Sequence, residues 1–252
     1  PVGYKDVERP PDAETLGNLL GLAVLRALPS SRAAGTARLR LAGARVALPR
    51  ADLTPWIAAL EQERDRLVDR LTGTTLNLRT FLQLAARHGL SPEFPSGYAY
   101  RYLHERALGR GDLDRLDAGN RQALAEYVDR IHTMEQLTRC RTNLDLLRLH
   151  AARNAAAGGA PVEVDVSGLR IGDFVLLTFP GELSVQIGLN LKRASPHRPT
   201  FVAAYTNGYI YYAPTAAQLR QRGLAQEDSD CFLASAWQER FEAEAIRLLG
   251  RL

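Results

Sequence analysis

The feature that most constrains this chain is an apolar run, Phe174-Val175-Leu176-Leu177-Thr178-Phe179, that stops abruptly at Pro180-Gly181-Glu182. A helix-length stretch later, Phe201-Val202-Ala203-Ala204-Tyr205 repeats the pattern and runs into Asn207-Gly208-Tyr209-Ile210-Tyr211-Tyr212-Ala213-Pro214-Thr215. Between them, Leu183 to Ala194 mixes Val185, Ile187, Leu189 and Leu191 with Gln186, Asn190 and Lys192. Ser195-Pro196 stops this helix, because a residue before proline is pushed out of helical geometry. Strand, helix and strand in that order predict a parallel pair joined by a crossover. In such units loops converge, and backbone groups stay free, at the carboxyl ends of the strands. A carboxylate and several phenols are therefore expected at one edge.

The rest of the chain supplies layers for such a unit. Asp12 caps a predicted helix with Leu16, Leu20, Val24 and Leu28 spaced by four, and Thr36 to Leu48 reads as a hairpin turning at Ala42-Gly43. Thr54-Pro55 starts a helix with Trp56, Leu60, Leu67 and Leu71 on one side. A second helix covers Leu78 to Arg87, and a short aromatic one covers Tyr98 to Leu108 after a Pro92 to Gly97 loop. The longest runs from about Asn120 to Ala155 along a stripe from Leu124 through Ile131, Leu137, Cys140 and Leu144 to Leu147. That stripe is read as core packing or a helix hairpin. Val162, Val164 and Val166 alternate, Ser167-Gly168 turns, and Leu169 to Phe179 returns; Cys231 to Leu252 closes the chain as an amphipathic helix. The order predicts one α/β domain over 1–252, with α+β as the variant, a large helical insertion over 54–157 and a strand-helix-strand core.

Composition removes several function classes. The 252 residues are 46% apolar, enough for a core, and lysine is confined to Lys5 and Lys192, the other basic residues being arginine. The net charge of +4 is spread along helices that alternate acids and bases, which describes solvated faces and no nucleic-acid surface. Cys140 and Cys231 have neither disulfide-framework nor zinc-ribbon spacing and read as small buried hydrophobes. The most apolar run, Leu16 to Leu28, is too short to span a membrane and contains Arg26. No Gly-x-Ser-x-Gly elbow, phosphate loop or dinucleotide glycine motif is present.

Glu182 has two readings: a carboxylate capping a helix start, where the dipole stabilises it by about 0.3–1 kcal/mol, or a metal ligand. Tyr212 likewise either packs at a strand end or ligates, and ligation requires a metal to lower its pKa from near 10. It is one of four tyrosines within eight residues, with Tyr205, Tyr209 and Tyr211. His88, His104, His132, His150 and His197 show neither HExxH nor HxH spacing and read as helix-end or surface residues.

Ile171-Gly172-Asp173, Pro180-Gly181-Glu182, Asn207-Gly208-Tyr209 with Tyr212 three residues on, and Pro214-Thr215 together resemble the C-terminal part of the catalytic domain of the neutral ceramidase family and its bacterial relatives. The likeness covers the last third of the chain, and Pro10 to Leu28 more faintly. It implies a zinc amidase that cuts an N-acyl bond, with metal held by two histidines from an N-terminal half, by a glutamate matching Glu182 and by a tyrosine matching Tyr212. Zinc would polarise the amide carbonyl and activate water. Asn207 and Tyr209 are the substrate-side candidates, Tyr209 also for the oxyanion. The implied partners are the missing N-terminal half and a small lipid-like amide, with no nucleic acid and no transmembrane segment; a secreted or periplasmic location comes from the resemblance alone.

The family's histidine and Gly-Asp-serine motifs are upstream of anything here, and Arg222-Gly223-Leu224-Ala225-Gln226-Glu227 stands where the family usually has Gly-Tyr-Glu or Arg-Tyr-Glu, so that tyrosine is absent. Opening at Pro1, the chain reads as the C-terminal portion of a longer protein, inactive alone. The competing readings are a non-catalytic scaffold or interaction module, and a metal-independent hydrolase using Glu182 as base.

Overall fold

The computed structural model describes residues 13–32, 38–71, 73, 76–90, 99–223 and 225–252. The capping Asp12, the start of the expected hairpin at Thr36 and the Pro92 to Gly97 loop lie outside them. In chain order the described elements are α1 (Ala13–Ala27), β1 (Leu39–Leu48), α2 (Thr54–Arg70), α3 (Leu78–Leu90), α4 (Tyr100–Ala107) and α5 (Asp112–Ala156). There follow β2 (Val162–Ile171), β3 (Phe174–Thr178), β4 (Glu182–Leu183), α6 (Val185–Ala194), β5 (Thr200–Ala203), β6 (Tyr212–Ala213), α7 (Ala216–Arg220), α8 (Gln226–Ser229) and α9 (Trp237–Leu249). This is an α/β arrangement. The main sheet runs β1-β2-β3-β5, antiparallel until the last pair, where β3 and β5 lie parallel with α6 as their crossover.

Two expected turns are absent. Ala42-Gly43 lies inside β1, which pairs continuously with β2 from Leu39 opposite Ile171 to Leu48 opposite Val162. A local hairpin would have given arms of a few residues, and the long-range ladder satisfies the backbone over ten. Ser167-Gly168 likewise lies inside β2, and the turn falls at Gly172, whose φ of 60° an L side chain rarely adopts. Gly168 has a packing role instead. A Cβ there would lie 2.8 Å from Leu252 Cδ1 and 3.4 Å from Leu248 Cγ, so its absence lets the C-terminal helix sit close on the sheet.

Inward residues of the strands pack on that helix: Val46, Leu48, Val164, Val166 and Leu177 share one core with Trp237, Phe241 and Leu248. Phe179 meets the Phe241 ring edge-on at 4.7 Å, and the Trp237 indole N–H donates to Pro214 O at 3.1 Å, so the bulkiest buried side chain is also satisfied. The expected helix over 231–252 starts only at Trp237. Before it the chain is extended, Leu233 bridges Arg50, and Ala51 N–H donates to Phe232 O at 2.9 Å.

A second core joins α2 to the C-terminal half of α5 through Leu53, Trp56, Leu60, Leu67, Leu137, Cys140, Leu144 and Leu147. α5 begins eight residues before its expected start, its first turn carrying Asp112 and Asp114 where the helix dipole favours acids. Asn154, near its end, donates to Ala51 O and Phe232 O and accepts from Arg50, tying the helical region to the sheet. Both cysteines are buried and free, as expected. Among the described residues no helix is long and apolar enough to cross a membrane.

Candidate functional site

Beyond their main-sheet pairing, β3 and β5 each extend into a turn, and the turns form a second small parallel ladder in which Glu182 lies opposite Tyr212 and Leu183 opposite Ala213. Backbone bonds fix the junction: Phe179 N–H to Ala203 O at 2.8 Å, Glu182 N–H to Tyr211 O at 2.9 Å, Ile210 N–H to Pro180 O at 2.7 Å. Gly181 is required here, because a Cβ would lie 2.8 Å from Tyr211 O and 2.9 Å from Ile210 Cγ1. Three non-glycine residues of the second turn take left-handed backbone: Tyr205 at φ 55°, Asn207 at 66° and Tyr211 at 64°. Asparagine tolerates that region; a tyrosine held there costs on the order of 1 kcal/mol or more, so the surrounding structure over-determines it.

The strained loop delivers phenols to one carboxylate. Tyr209 donates to Glu182 Oε1 at 2.8 Å, and the Tyr212 and Tyr205 hydroxyls hydrogen-bond the same side chain. Burial alone would raise the Glu182 pKa, but the bonds from Tyr212, Tyr205 and Tyr209 outweigh it and hold the carboxyl below its ordinary value. The acceptor in turn pushes the Tyr209 phenol up to about 12 and raises Tyr212 and Tyr205. Thus Glu182, Tyr209 and Tyr212 come together. Asn207 borders a different depression, lined by Gly43, Arg45, Asp165 and Ser167. Beside the cluster opens a cavity of about 270 Å³, walled by Glu182, Tyr205, Tyr212, Pro214, Gln218 and Glu227 among others.

The site rests on α5. His150 is fully buried, a correction to its reading as a helix-end or surface residue: its Nε2 lies 2.7 Å from Asp230 Oδ1, and its ring meets Tyr211 edge-on at 4.7 Å. Asp230 O accepts the Tyr212 N–H at 3.1 Å, and Arg153, one turn beyond His150, bonds the Tyr211 hydroxyl and lies over its ring. The sequence signal for a buried His150 is the apolar stripe itself: Leu137, Cys140, Leu144 and Leu147 recur at helical spacing, and three more residues extend the same face to His150. His197, half-buried, pairs its Nε2 with Leu249 O at 2.9 Å, a tie to the C-terminal helix. Sequence reasoning also left Tyr205 and Glu227 without roles.

Whether a zinc fits can be asked of the donors. Two hard oxygens, the Glu182 carboxylate and the Tyr212 hydroxyl, lie within hydrogen-bonding reach of each other and can face one cation. Among the described residues no group of three or more His, Cys, Asp or Glu is placed to complete the set. A catalytic zinc takes three protein ligands, so these residues fit as part of a ligand set and not as a whole one.

The fold and site define an α/β domain with a carboxylate held by phenols at parallel strand ends. No family model and no curated protein matches the chain. Local likenesses to solved structures are found. A ceramidase complexed with C2 shares 25% identity over 36% of this chain and 16% of that chain, at a TM-score of 0.31. Neutral ceramidase from Pseudomonas aeruginosa shares 24% identity over 36% of this chain and 16% of its own, at a TM-score of 0.30. The chain thus spans about 16% of the length of the structures it matches, and scores at this level define no common fold.

Proposed function

We propose that this chain supplies one wall of a ceramidase-like amidohydrolase site, with Glu182 and Tyr212 as two ligands of a zinc whose others come from outside this chain. The observation that carries the reading is the meeting of Glu182 with Tyr209 and Tyr212 across two parallel strand ends, at the residues the motif resemblance singles out. The bound metal would supply Lewis acidity and an activated water. The residues of this chain do the rest: Glu182 holds negative charge at neutral pH, Tyr212 presents its oxygen beside it, and Tyr209 offers a hydroxyl within reach of a polarised carbonyl. The substrate class is an N-acyl, lipid-like amide.

One observation favours a second reading. The Glu182 carboxylate accepts the Tyr209 hydroxyl and draws the Tyr212 and Tyr205 hydroxyls to it, so the cluster also serves as a structural clasp between the two strand-end turns. The third reading, Glu182 as a metal-free general base, is disfavoured because its lowered pKa makes it a weaker base. Zinc content, N-acyl hydrolysis and thermal unfolding, measured where the remaining zinc ligands are supplied to this chain, separate the first two. Glu182→Gln is expected to remove most bound zinc and activity, and Tyr212→Phe to weaken both more than stability. Wild-type metal content in both variants would leave the clasp alone standing.

A further inference from the structure

Tyr211 is held in a conformation that a side chain of its size disfavours, and the residue after it is one half of the Glu182–Tyr212 pair. Its φ of 64° lies in the left-handed region, which a bulky aromatic residue leaves unless its surroundings forbid it. Four groups surround the ring. From α5, His150 meets it edge-on at 4.7 Å, and the Arg153 guanidinium lies 5.1 Å from its centroid and donates to its hydroxyl. From the segment before α9, Phe232 meets it edge-on at 6.1 Å, and from its own turn Tyr209 leans on it at 5.3 Å. The peptide between Tyr211 and Tyr212 carries this restraint to the site. Its carbonyl oxygen accepts the Glu182 N–H at 2.9 Å, and its N–H, that of Tyr212, donates to Asp230 O at 3.1 Å. One peptide plane therefore places both residues of the pair. If Tyr211 left the left-handed region that plane would turn, and both bonds would break together. Asp230 is fixed in turn by His150 Nε2, 2.7 Å from its Oδ1.

We infer that Arg153 and His150 are positioning residues: α5 clamps the Tyr211 ring, the clamped ring keeps Tyr211 left-handed, and the peptide so fixed aims Tyr212 and Glu182 at one point. The inference rests on the reading that this pair is the working part of the site, and it adds what aims the pair. It also gives the long helix a part in the site. The cavity beside Glu182 is walled by residues outside α5, so the influence of the helix on it runs through Tyr211 and Asp230. Of the two positioning residues, Arg153 is exposed and His150 is buried, which makes Arg153 the one that can be removed without opening a core.

The test is amide hydrogen exchange, followed by NMR, on the metal-free chain kept in chelator. Arg153→Ala is the main variant, because alanine suits an exposed helix position. The Glu182 and Tyr212 amides are expected to lose protection about tenfold, and those of the β1–β2 ladder and α9 much less, since a local opening exposes only the bonds it breaks. The ring signal of Tyr212, identified with Tyr212→Phe, should move in the same variant as its hydroxyl is carried off Glu182. Arg153→Lys, which keeps a cation beside the Tyr211 ring, should lose less protection than the alanine variant. Tyr211→Phe removes the hydroxyl bond from its other end, so Arg153→Ala/Tyr211→Phe should lose less than the product of the two single losses. A fall of equal size at every amide, unchanged protection at Glu182 and Tyr212, or fully independent losses in the double variant would overturn the proposal. Because chelator is present throughout, this result stands apart from the zinc and hydrolysis measurements: the clamp can fail while Glu182 and Tyr212 ligate metal, and the converse.

Discussion

The layer between the main sheet and α9, and the N-terminal helix α1, are both apolar in sequence, yet one is sealed and the other open. Trp237 and Phe241 are 0% exposed, while Leu16, Leu20 and Val24 on α1 are 55%, 69% and 54% exposed. Spacing by four located both helices. What separates them is a second surface in register: α9 lies on β1 and β2 over a glycine, and no residue of α1 is buried. Periodicity therefore reports a helix and its apolar face, and burial depends on whether another element of the chain arrives opposite it.

The widest separation between the two regions should appear on truncating their side chains. Trp237→Ala removes a filled core position and a hydrogen bond to Pro214 O, and is expected to cost about 3–5 kcal/mol. Leu20→Ala on α1 should fall within about 0.5 kcal/mol, since it vacates no core. Denaturant unfolding of the two variants measures the contrast directly. Comparable losses would mean that α1 is packed in solution and would break the comparison.

A smaller effect sharpens the boundary between the sealed layer and the site. Gly181→Ala pushes a methyl group against the Tyr211 carbonyl and the Ile210 and Phe179 side chains, where backbone cannot yield cheaply, so a loss of about 1–3 kcal/mol is expected. Gly188→Ala on α6 meets nothing within 4 Å and should be neutral or slightly stabilising, as alanine is the better helix former. Equal melting temperatures for the two would show that the strand-end turn relaxes freely. His150→Leu belongs to the same range: it strips Asp230 of its buried partner, and a loss of about 1–3 kcal/mol is expected from the unpaired group.

These contrasts also mark what was legible in the sequence. The parallel β3–α6–β5 unit was readable because each element is short, apolar and bounded by proline or glycine, and its strand ends brought Glu182 toward Tyr209 and Tyr212. The β1–β2 ladder was not, because Ala42-Gly43 and Ser167-Gly168 carry turn composition while their conformation is set by a partner more than a hundred residues away. His150 was missed for the opposite reason: it is polar, and only the Asp230 carboxylate arriving from another element makes its burial tolerable. Tyr205 and Tyr211 needed left-handed backbone that no tyrosine advertises.

The smallest expected effect lies in pH and tests whether the phenol–carboxylate bonds stabilise the fold at all. The Glu182 carboxyl is held below its ordinary value, burial opposing and the three phenol bonds prevailing, so its contribution is present above the unfolded carboxylate pKa near 4.3 and lost as pH falls through the lower folded value. Tyr209 is raised to about 12, so its contribution is complete below about 10 and lost as pH rises from there through about 12. Wild type should therefore melt above Glu182→Gln by a steady margin between these limits, closing at both ends. Solvent reaches these groups and screens them, so the margin is expected to be only about 1–2 °C. On the alkaline side the tyrosinate absorbance should develop later in wild type than in the variant, because removing the charged acceptor frees Tyr209 and Tyr212 to ionise nearer their ordinary pKa. A margin that stays constant across the acid limit, with identical tyrosinate curves, would mean that Glu182 and the phenols meet without stabilising one another.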